Sequence, residues 1–350
     1  MNFLQRYDFF CIFAKKDAMK KIFFLIFPVL VLLGSTPKND MDAFLQSFDF
    51  VVAQDGSGDF LTVQEAINAV PMFRRERTTI FIRKGVYKER LILSRGKNNV
   101  SFIGECVYNT ILTYDNFHQR QTMFGENTGT SGSSSFFIFG NDFFAKNITF
   151  QNSAGPVGQA VAVLVYGDRA VFQNCRFLGY QDTLYPFGRN SRQFYIDCYI
   201  EGSVDFIFGN STAVFYRSRI HSNRNGYITA PSTPQGHAFG FIFIDCVLTA
   251  DEGVTRVYLG RPWRNYGQSV FINTEMGAHI APEGWHNWRR PEAESTAFFA
   301  EYNNTGVGAN TQNRVTWSHQ LTSEQAAKYT IKKILAGNDG WNPFELIQHD

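Results

Sequence analysis

The chain has 350 residues, of which 44% are hydrophobic and 36 are Phe, so it can bury a large core. Its formal net charge is +2, and without residues 1–36 it carries 28 basic and 29 acidic residues. That near-balance excludes the charge pattern of a nucleic-acid-binding or membrane-surface protein, so neither partner is predicted.

The first 36 residues have the pattern of a secretory signal peptide. A Lys pair precedes an apolar run over residues 22–33, and a Gly-Ser-Thr sequence follows. The run is shorter than the roughly 20 residues that a membrane-spanning helix needs. A buried first strand or a short anchor is the alternative, and translation starts at Met1 or at Met19. We therefore predict a secreted or periplasmic protein with a signal peptide over 1–36 and one domain over 37–350.

The mature chain opens with a strand, a turn and a helix. Residues 50–60 read as a short strand that runs into a glycine turn. Thr62 and Glu65 then form a capping box, and the helix that they start ends before Pro71. Because the ends of a repeat protein need covering, we expect this helix to cover the first coil. The turn-rich stretch 125–135 reads as a surface loop.

A four-residue sequence motif, which we call the phrase, then recurs through the middle of the chain at steps of 27, 23, 20, 28 and 28 residues. Its copies are Asn147–Phe150, Asn174–Phe177, Asp197–Ile200, Arg217–Ile220, Asp245–Leu248 and Asn273–Met276. Repeats of this length leave little room for a helix between copies. They are also rich in β-branched, aromatic and small residues. They predict a parallel β-solenoid in which each repeat is one coil.

The second and fourth residues of each phrase lie on one face of their strand, because side chains alternate along a strand. The fourth positions are apolar, so this face is the predicted interior. Cys175 and Cys198 occupy the second position of successive phrases. Residues stacked in this way can form a disulfide or remain an unbridged core pair, and the sequence leaves both open.

Three polar residues, Gln159, Asp182 and Asp205, lie 23 and 23 residues apart within the repeats. One full coil separates each from the next, so they would form a ladder on adjacent strands about 4.8 Å apart. Two carboxyl groups that close do not both ionise readily, so the pKa of one should rise while the other stays charged. The ladder thus predicts an acid beside a nucleophile.

Farther along, the stretch 257–263 breaks the repeat with Arg261 and Trp263. Arg261 lies about two coils beyond Asp205. Its guanidinium could donate two parallel hydrogen bonds to the Asp205 carboxylate and keep it charged. The alternative is a surface Arg beside a buried Trp. The aromatic block 282–288 is either a loop beside the cleft or a packing corner. A second capping box predicts a helix over 322–336 that covers the last coils.

Six sequence blocks, taken in order, resemble those of the pectin methylesterase (pectinesterase) family over roughly residues 49–340. They are Asp55–Phe60, Gly85–Glu89, Gly158–Val161, Gln181–Leu184, Asp205–Gly209 and Leu259–Trp263. The resemblance implies a right-handed parallel β-helix that hydrolyses methyl esters of polygalacturonate without a metal or other cofactor. Segments 141–150, 282–288 and 317–321 look similar to the bacterial branch of the family.

Block by block, the resemblance also implies roles for single residues. Asp205 matches the nucleophile and Asp182 the general acid/base, while Gln159 and Gln181 match the side chains that stabilise the oxyanion. Arg261 matches the residue that orients the nucleophile, and Trp263 matches an aromatic that contacts the sugar. Gln181 and Asp182 are neighbours and would face opposite sides of a regular strand, so both can reach one cleft only if the chain bends there. Gly179 makes such a bend plausible.

Other functions are weaker fits to the sequence. It contains no Gly-x-Ser-x-Gly elbow, no phosphate-binding glycine loop and no His pair at metal-ligand spacing. A polygalacturonase or pectate lyase on the same fold, or a non-catalytic glycan-binding solenoid, remains an alternative. We expect a monomer that acts on methylated pectin.

Overall fold

Short strands rich in Phe, Val and Ile alternate with tight corners along most of the chain. A computed structural model describes residues 43–347, so the predicted signal peptide lies outside the described residues. The named strands pair in parallel, each with its counterpart from the previous and the next turn of the chain. The result is a parallel β-helix, as the repeats predict.

The strands in chain order are β1 (Phe50–Val52), β2 (Thr78–Ile82), β3 (Gly85–Lys88), β4 (Leu91–Leu93), β5 (Val100–Gly104), β6 (Thr110–Tyr114), β7 (Phe136–Ile138), β8 (Phe144–Lys146), β9 (Thr149–Asn152), β10 (Val163–Val165), β11 (Ala170–Gln173), β12 (Arg176–Leu178), β13 (Leu184–Pro186), β14 (Arg192–Ile196), β15 (Tyr199–Gly209), β16 (Thr212–Tyr216), β17 (Arg219–Pro231), β18 (Phe241–Ile244), β19 (Val247–Ala250), β20 (Val257–Gly260), β21 (Gln268–Ile272), β22 (Glu275–Met276), β23 (Phe298–Tyr302) and β24 (His319–Gln320). The helices include α1 (Val63–Ala69), α2 (Gly129–Gly132), α3 (Ser323–Ala326) and α4 (Ile331–Leu335), with 3₁₀ turns at Pro291–Ser295, Val307–Ala309 and Pro343–Leu346.

Three strand ladders form the sides of the β-helix. One is an 11-stranded sheet with the order β1-β2-β5-β8-β11-β14-β16-β18-β21-β23-β24. The second begins β3-β6-β9-β12 and the third β4-β7-β10-β13, and both continue into the long strands β15 and β17. Because β15 and β17 belong to two ladders, the chain bends within them instead of breaking into a loop.

The recurrent phrase marks one corner of each coil. Its first residue adopts the left-handed conformation in all six copies, with φ between 48° and 60°. Five of the six are Asn or Asp, the residues that tolerate this conformation best after Gly. Their side chains also bond from coil to coil, as where the Asn174 amide donates to Asn147 Oδ1 at 2.7 Å. The phrase therefore recurs because each coil needs a left-handed corner.

The inward-facing residues of the phrases fill the core, as predicted. Phe150, Phe177 and Ile200 belong to one buried apolar cluster that also contains Cys175 and Cys198. Both cysteines are free thiols, so the stack is unbridged. A second cluster, which includes Phe194 and Val214, lies on the opposite face of the 11-stranded sheet.

The amino-terminal end of the core is covered by α1, as predicted from its capping box. The Thr62 hydroxyl accepts from the Glu65 amide, and the Glu65 carboxylate accepts from the Thr62 amide. The buried face of α1, with Val63 and Ile67, joins the interior cluster. Within residues 43–347 no helix is long and apolar enough to cross a membrane.

The prediction of one helix over 322–336 is wrong. The capping box at Thr322 starts only the short α3, and Thr330 adopts an extended conformation and caps a separate helix, α4. A Thr side chain that bonds to the backbone in this way favours a new start over continuation of the helix. Ile334 and Leu335 pack against the outer face of the 11-stranded sheet, so α4 covers the side of the middle coils and not the last ones.

Candidate active site

A cavity of about 430 Å³ opens on the side of the β-helix where the third ladder runs. The six residues predicted as site residues all line it, and they are Gln159, Gln181, Asp182, Asp205, Arg261 and Trp263. Four different coils contribute these side chains, although the residues span about a hundred positions in sequence. The convergence is the consequence of stacking one coil on the next.

The register of the coils differs from the predicted ladder in one place. Gln159 pairs with Gln181 in a parallel bridge, 22 residues along, and not with Asp182. Asp182 is in step with Asp205, because Leu184 pairs with Ile207 and each aspartate lies two residues earlier. The equal-spacing ladder is therefore wrong for Gln159 and right for the two aspartates.

The chain leaves regular strand geometry after Gly179, as expected from the sequence. Asp182 has a left-handed backbone with φ 65°, so Gln181 and Asp182 leave the strand alternation and both reach the cleft. Gly179 is required just before them, because a Cβ there would lie 2.6 Å from Thr183 Oγ1. Asp205 repeats the same left-handed conformation one coil later, with φ 51°.

Arg261 reaches back to Asp205 from the end of β20. Its Nε donates to Asp205 Oδ1 at 2.8 Å and its Nη2 to Asp205 Oδ2 at 2.6 Å, which is a bidentate pair. Gly260 pairs with Thr229 on β17, and β17 in turn pairs with β15, the strand that carries Asp205. Arg261 thus stands two coils beyond Asp205. The side chain of Asp205 is only 7% exposed, so water screens the pair little.

The two carboxyl groups of the cleft occupy different electrostatic environments. Burial raises the pKa of Asp182 well above its ordinary value, and the negative charge of Asp205 adds to that rise while Arg261 opposes it. Burial also raises the pKa of Asp205, but the hydrogen bonds and the charge of Arg261 limit that rise. Asp205 therefore ionises first, and Asp182 is the carboxyl that keeps its proton.

Aromatic rings form the wall beside these polar groups. Tyr185 and Phe208 stack with ring centroids 4.0 Å apart, and Trp263 meets both of them edge-on. Sequence reasoning did not single out Tyr185 or Phe208 as cleft residues, although Tyr185 follows the Gln181–Leu184 block directly. It also missed α2, whose residues line the cavity from within the stretch read only as a surface loop.

Both interpretations of the aromatic block 282–288 apply, each to a different residue. Trp285 is 1% exposed and packs inside the core, where it stacks on Phe299. Trp288 lines the cavity and lies over the Arg261 guanidinium. The block is therefore part of the core at Trp285 and part of the cleft wall at Trp288.

A parallel β-helix carries an Arg-paired carboxylate, a second buried carboxyl with a raised pKa and two amides in one lateral cleft, which is typical of an enzyme that uses carboxyl groups for catalysis. A family model described as Pectinesterase matches residues 49–338. Pectinesterase 31 of Arabidopsis thaliana is 44% identical over 286 residues, covering 79% of this chain and 89% of that protein. The chain belongs to the pectinesterase family, which consists of carboxylic ester hydrolases.

Solved structures agree with this assignment and with the predicted right-handed parallel β-helix. Pectin methylesterase from carrot superimposes with a TM-score of 0.77 at 36% identity, over 83% of this chain and 94% of that one. A pectin methylesterase in complex with a hexasaccharide gives 0.73 at 32% identity, over 85% and 98%. This chain spans about half the length of several other curated relatives, such as 46% of Pectinesterase 5 of Arabidopsis thaliana.

The narrower likeness to the bacterial branch stays a prediction. Pectinesterase 31 and the carrot enzyme are both plant proteins, so these two comparisons do not support it.

Proposed function

We propose that this protein removes methyl esters from polygalacturonate, with Asp205 as the nucleophile and Asp182 as the general acid and base. One observation carries the proposal. A buried carboxylate held by two charge-assisted hydrogen bonds lies in the same cleft as a second carboxyl whose pKa is raised. Two carboxyl groups with pKa values pushed apart are the usual basis for assigning a nucleophile and an acid.

The first half of the reaction forms an acyl-enzyme. An Asp205 oxygen attacks the carbonyl carbon of the methyl ester, and the carbonyl oxygen becomes an oxyanion. When this intermediate collapses, the bond from carbon to the methoxy oxygen breaks and the Asp182 proton goes to the departing oxygen. Methanol leaves, and the galacturonyl group remains joined to Asp205 as a mixed anhydride.

The Gln159 and Gln181 amides are suited to stabilise the oxyanion. They form a parallel bridge between successive coils and both line the cavity, so their two NH₂ groups lie on the same side of the β-helix. A single preorganised donor of this kind typically contributes about 3 kcal/mol to transition-state stabilisation. We assign both residues to this role.

The second half of the reaction regenerates the enzyme. Asp182, now ionised, takes a proton from water, and the hydroxyl oxygen attacks the galacturonyl carbonyl. The bond to Asp205 breaks, which leaves galacturonic acid, the Asp205 carboxylate and a protonated Asp182. The galacturonic acid then releases its proton to solvent and becomes galacturonate. Proton transfer by a positioned carboxyl group contributes about a hundred- to ten-thousand-fold in rate.

Trp263 supplies an apolar surface next to the reacting groups, which suits the face of a sugar ring. The hexasaccharide complex of the related pectin methylesterase supports a polysaccharide substrate for this chain as well. We further propose that residues 37–350 form one secreted domain that works as a monomer. We also propose that the chain is similar to bacterial members of the family in three segments, 141–150, 282–288 and 317–321.

The test is to incubate the protein with highly methylated pectin and to assay three products together. We expect methanol, with no new reducing ends and no unsaturated ends. New reducing ends without methanol and without unsaturated ends would identify a glycosidase. Unsaturated ends, which form together with new reducing ends, would identify a lyase. Binding to pectin with none of the three products would identify a non-catalytic solenoid.

A further inference from the structure

The Arg261 guanidinium lies between two aromatic rings. Its central carbon is 3.8 Å from the centre of the Tyr227 ring and 3.7 Å from the centre of the Trp288 ring. At these distances both faces of the planar cation are covered, and only its edge remains for hydrogen bonding. That edge carries the Nε and Nη2 atoms that bind Asp205. We call Tyr227 and Trp288 the aromatic clamp.

The Tyr227 side of the clamp is itself fixed by neighbouring rings. Tyr227 stands on β17, and Tyr258 on the next coil stacks against it with centroids 5.2 Å apart. The His286 ring meets both tyrosines edge-on at 5.5 Å. A ring held on two sides has little freedom to turn away from Arg261.

The Trp288 side is held by a strained backbone. Trp288 and Arg289 both have φ 57°, which is rare for a bulky aromatic residue and indicates strain that the surroundings must support. The Trp288 amide donates to His286 Nδ1 at 2.9 Å, and the Arg289 amide donates to Asn287 Oδ1 at 2.8 Å. These bonds keep the indole ring turned towards the cleft.

A further contact joins the Trp288 loop to the segment that carries Arg261. Arg290 Nη2 donates to the backbone oxygen of Pro262, the residue directly after Arg261. Arg261 and Trp288 are thus connected by this hydrogen bond between their segments as well as by the contact of the ring with the guanidinium. A strained segment that is anchored at the catalytic cation suggests that the strain serves the site.

We propose that Tyr227 and Trp288 are positioning residues that hold the Arg261 edge against the Asp205 nucleophile and keep water off both faces of the cation. This inference rests on the proposed function. Covering the faces lowers the local dielectric, which strengthens the attraction between Arg261 and Asp205. It also removes the rotational freedom that a long Arg side chain otherwise has. Neither ring needs to touch substrate for this effect.

Several charged or titratable groups face the clamp and enter its pH dependence. They are Asp182, Asp205, His286, Arg289 and Arg290. Burial lowers the pKa of His286, and the charges of Arg261 and Arg289 lower it further, so this ring stays neutral to a lower pH than a free imidazole. The acidic limb of the activity profile therefore reports on Asp205.

The experiment measures kcat and KM for methanol release from pectin against pH in Trp288→Leu, Trp288→Phe and Tyr227→Leu. Trp341→Leu is the matched control, because Trp341 also lies over an arginine, Arg192, but outside the cleft. Far-UV circular dichroism and thermal unfolding are recorded for every variant. If Trp288→Leu does not fold, Trp288→Phe and Tyr227→Leu still decide the question.

Loss of one ring lets Arg261 move away from Asp205. Because the hydrogen bonds and charge of Arg261 lower the pKa of Asp205, that pKa should rise. Because Asp205 acts when ionised, the acidic limb should move upward by roughly 0.5 to 1 pH unit in Trp288→Leu and in Tyr227→Leu. We expect kcat at the acidic end to fall about three- to tenfold with KM nearly unchanged. The shift should be smaller in Trp288→Phe and absent in Trp341→Leu.

Two results would overturn the inference. A raised KM with an unmoved acidic limb would make Trp288 a sugar-binding residue, and an equal shift in Trp341→Leu would make the effect nonspecific. Failure of the proposed function has a different signature, since an active Asp205→Ala variant would remove the nucleophile from the scheme whatever the clamp variants do.

Discussion

Replacing Arg261 by Ala separates the role of the cation from that of the carboxylate it holds. The change deletes two charge-assisted hydrogen bonds of 2.8 and 2.6 Å to Asp205. The Asp205 side chain is 7% exposed, so water cannot replace these donors fully. An unpaired buried carboxylate is costly, and Asp205 should respond by holding its proton to a higher pH.

The size of the effect follows from the geometry. A positive charge within hydrogen-bonding distance typically lowers the pKa of a carboxyl group by about 1 to 3 units, so its removal should raise the pKa of Asp205 by that order. One unit corresponds to about 1.4 kcal/mol. With a rise of about 2 units, kcat/KM on the acidic limb should fall roughly a hundredfold. Pectin binding should weaken far less, because Arg261 faces Asp205 and not open solvent.

The assay is methanol release from pectin as a function of pH, with KM measured at each pH. The sign is fixed by the chemistry. Asp205 attacks when ionised, so activity disappears as the pH falls through its pKa, and a raised pKa moves the acidic limb upward. An Arg261→Ala profile whose acidic limb stays in place would refute the assignment of Arg261 as the charge partner. Lys88→Ala, which breaks an ion pair with Asp115 outside the cavity lining, serves as the control.

Three further predictions concern the acid, the metal requirement and the core. Asp182→Asn should slow methanol release by about a hundred- to ten-thousand-fold while Asp205 still reacts, and a loss below tenfold in rapid-quench assays would argue against an acid role. A chelator should leave activity unchanged, since within residues 43–347 no group of three or more His, Cys, Asp or Glu side chains could hold a metal ion; activity restored by calcium would contradict this. Phe177→Ala should lower the free energy of unfolding by about 3 to 5 kcal/mol in denaturant titrations, because Phe177 is fully buried. Phe124→Ala, at an 81% exposed position, should change it by less than about 0.5 kcal/mol.

The sequence predicts the β-helix well because each coil repeats one local requirement. The corner of a coil needs a left-handed residue, and Asn or Asp meets that need at Asn147, Asn174 and Asp197. The second and fourth positions of the phrase must be apolar or small, since they face the interior. Local requirements of this kind can be predicted from the sequence, because each depends on the type of residue at one position of the phrase.

Register is harder to predict, because it depends on a backbone angle at a single residue. Counting 23 residues from Gln159 leads to Asp182, yet Gln159 pairs with Gln181, the residue before the left-handed turn at Asp182. The spacing from Asp182 to Asp205 stays correct because Asp205 makes the same turn one coil later. A shift of one residue in a strand changes which side chain meets which, and composition alone does not reveal it.

Contacts between distant segments are the least predictable part of the site. Trp288 reaches Arg261 across 27 positions through a strained loop, and α2 reaches the cleft from a stretch with few apolar residues. Likewise, the break at Thr330 and the packing of α4 on the 11-stranded sheet depend on tertiary contacts that override the helical pattern. In each case the deciding partner lies far away in sequence.

The measurement that tests the central claim most directly is the rate of methanol release from methylated pectin by Asp205→Ala. The variant should be compared with the unsubstituted protein after circular dichroism and thermal unfolding have shown the same fold. We predict release at the background rate, because no neighbouring group can replace the nucleophile. Release within tenfold of the unsubstituted protein would contradict the account.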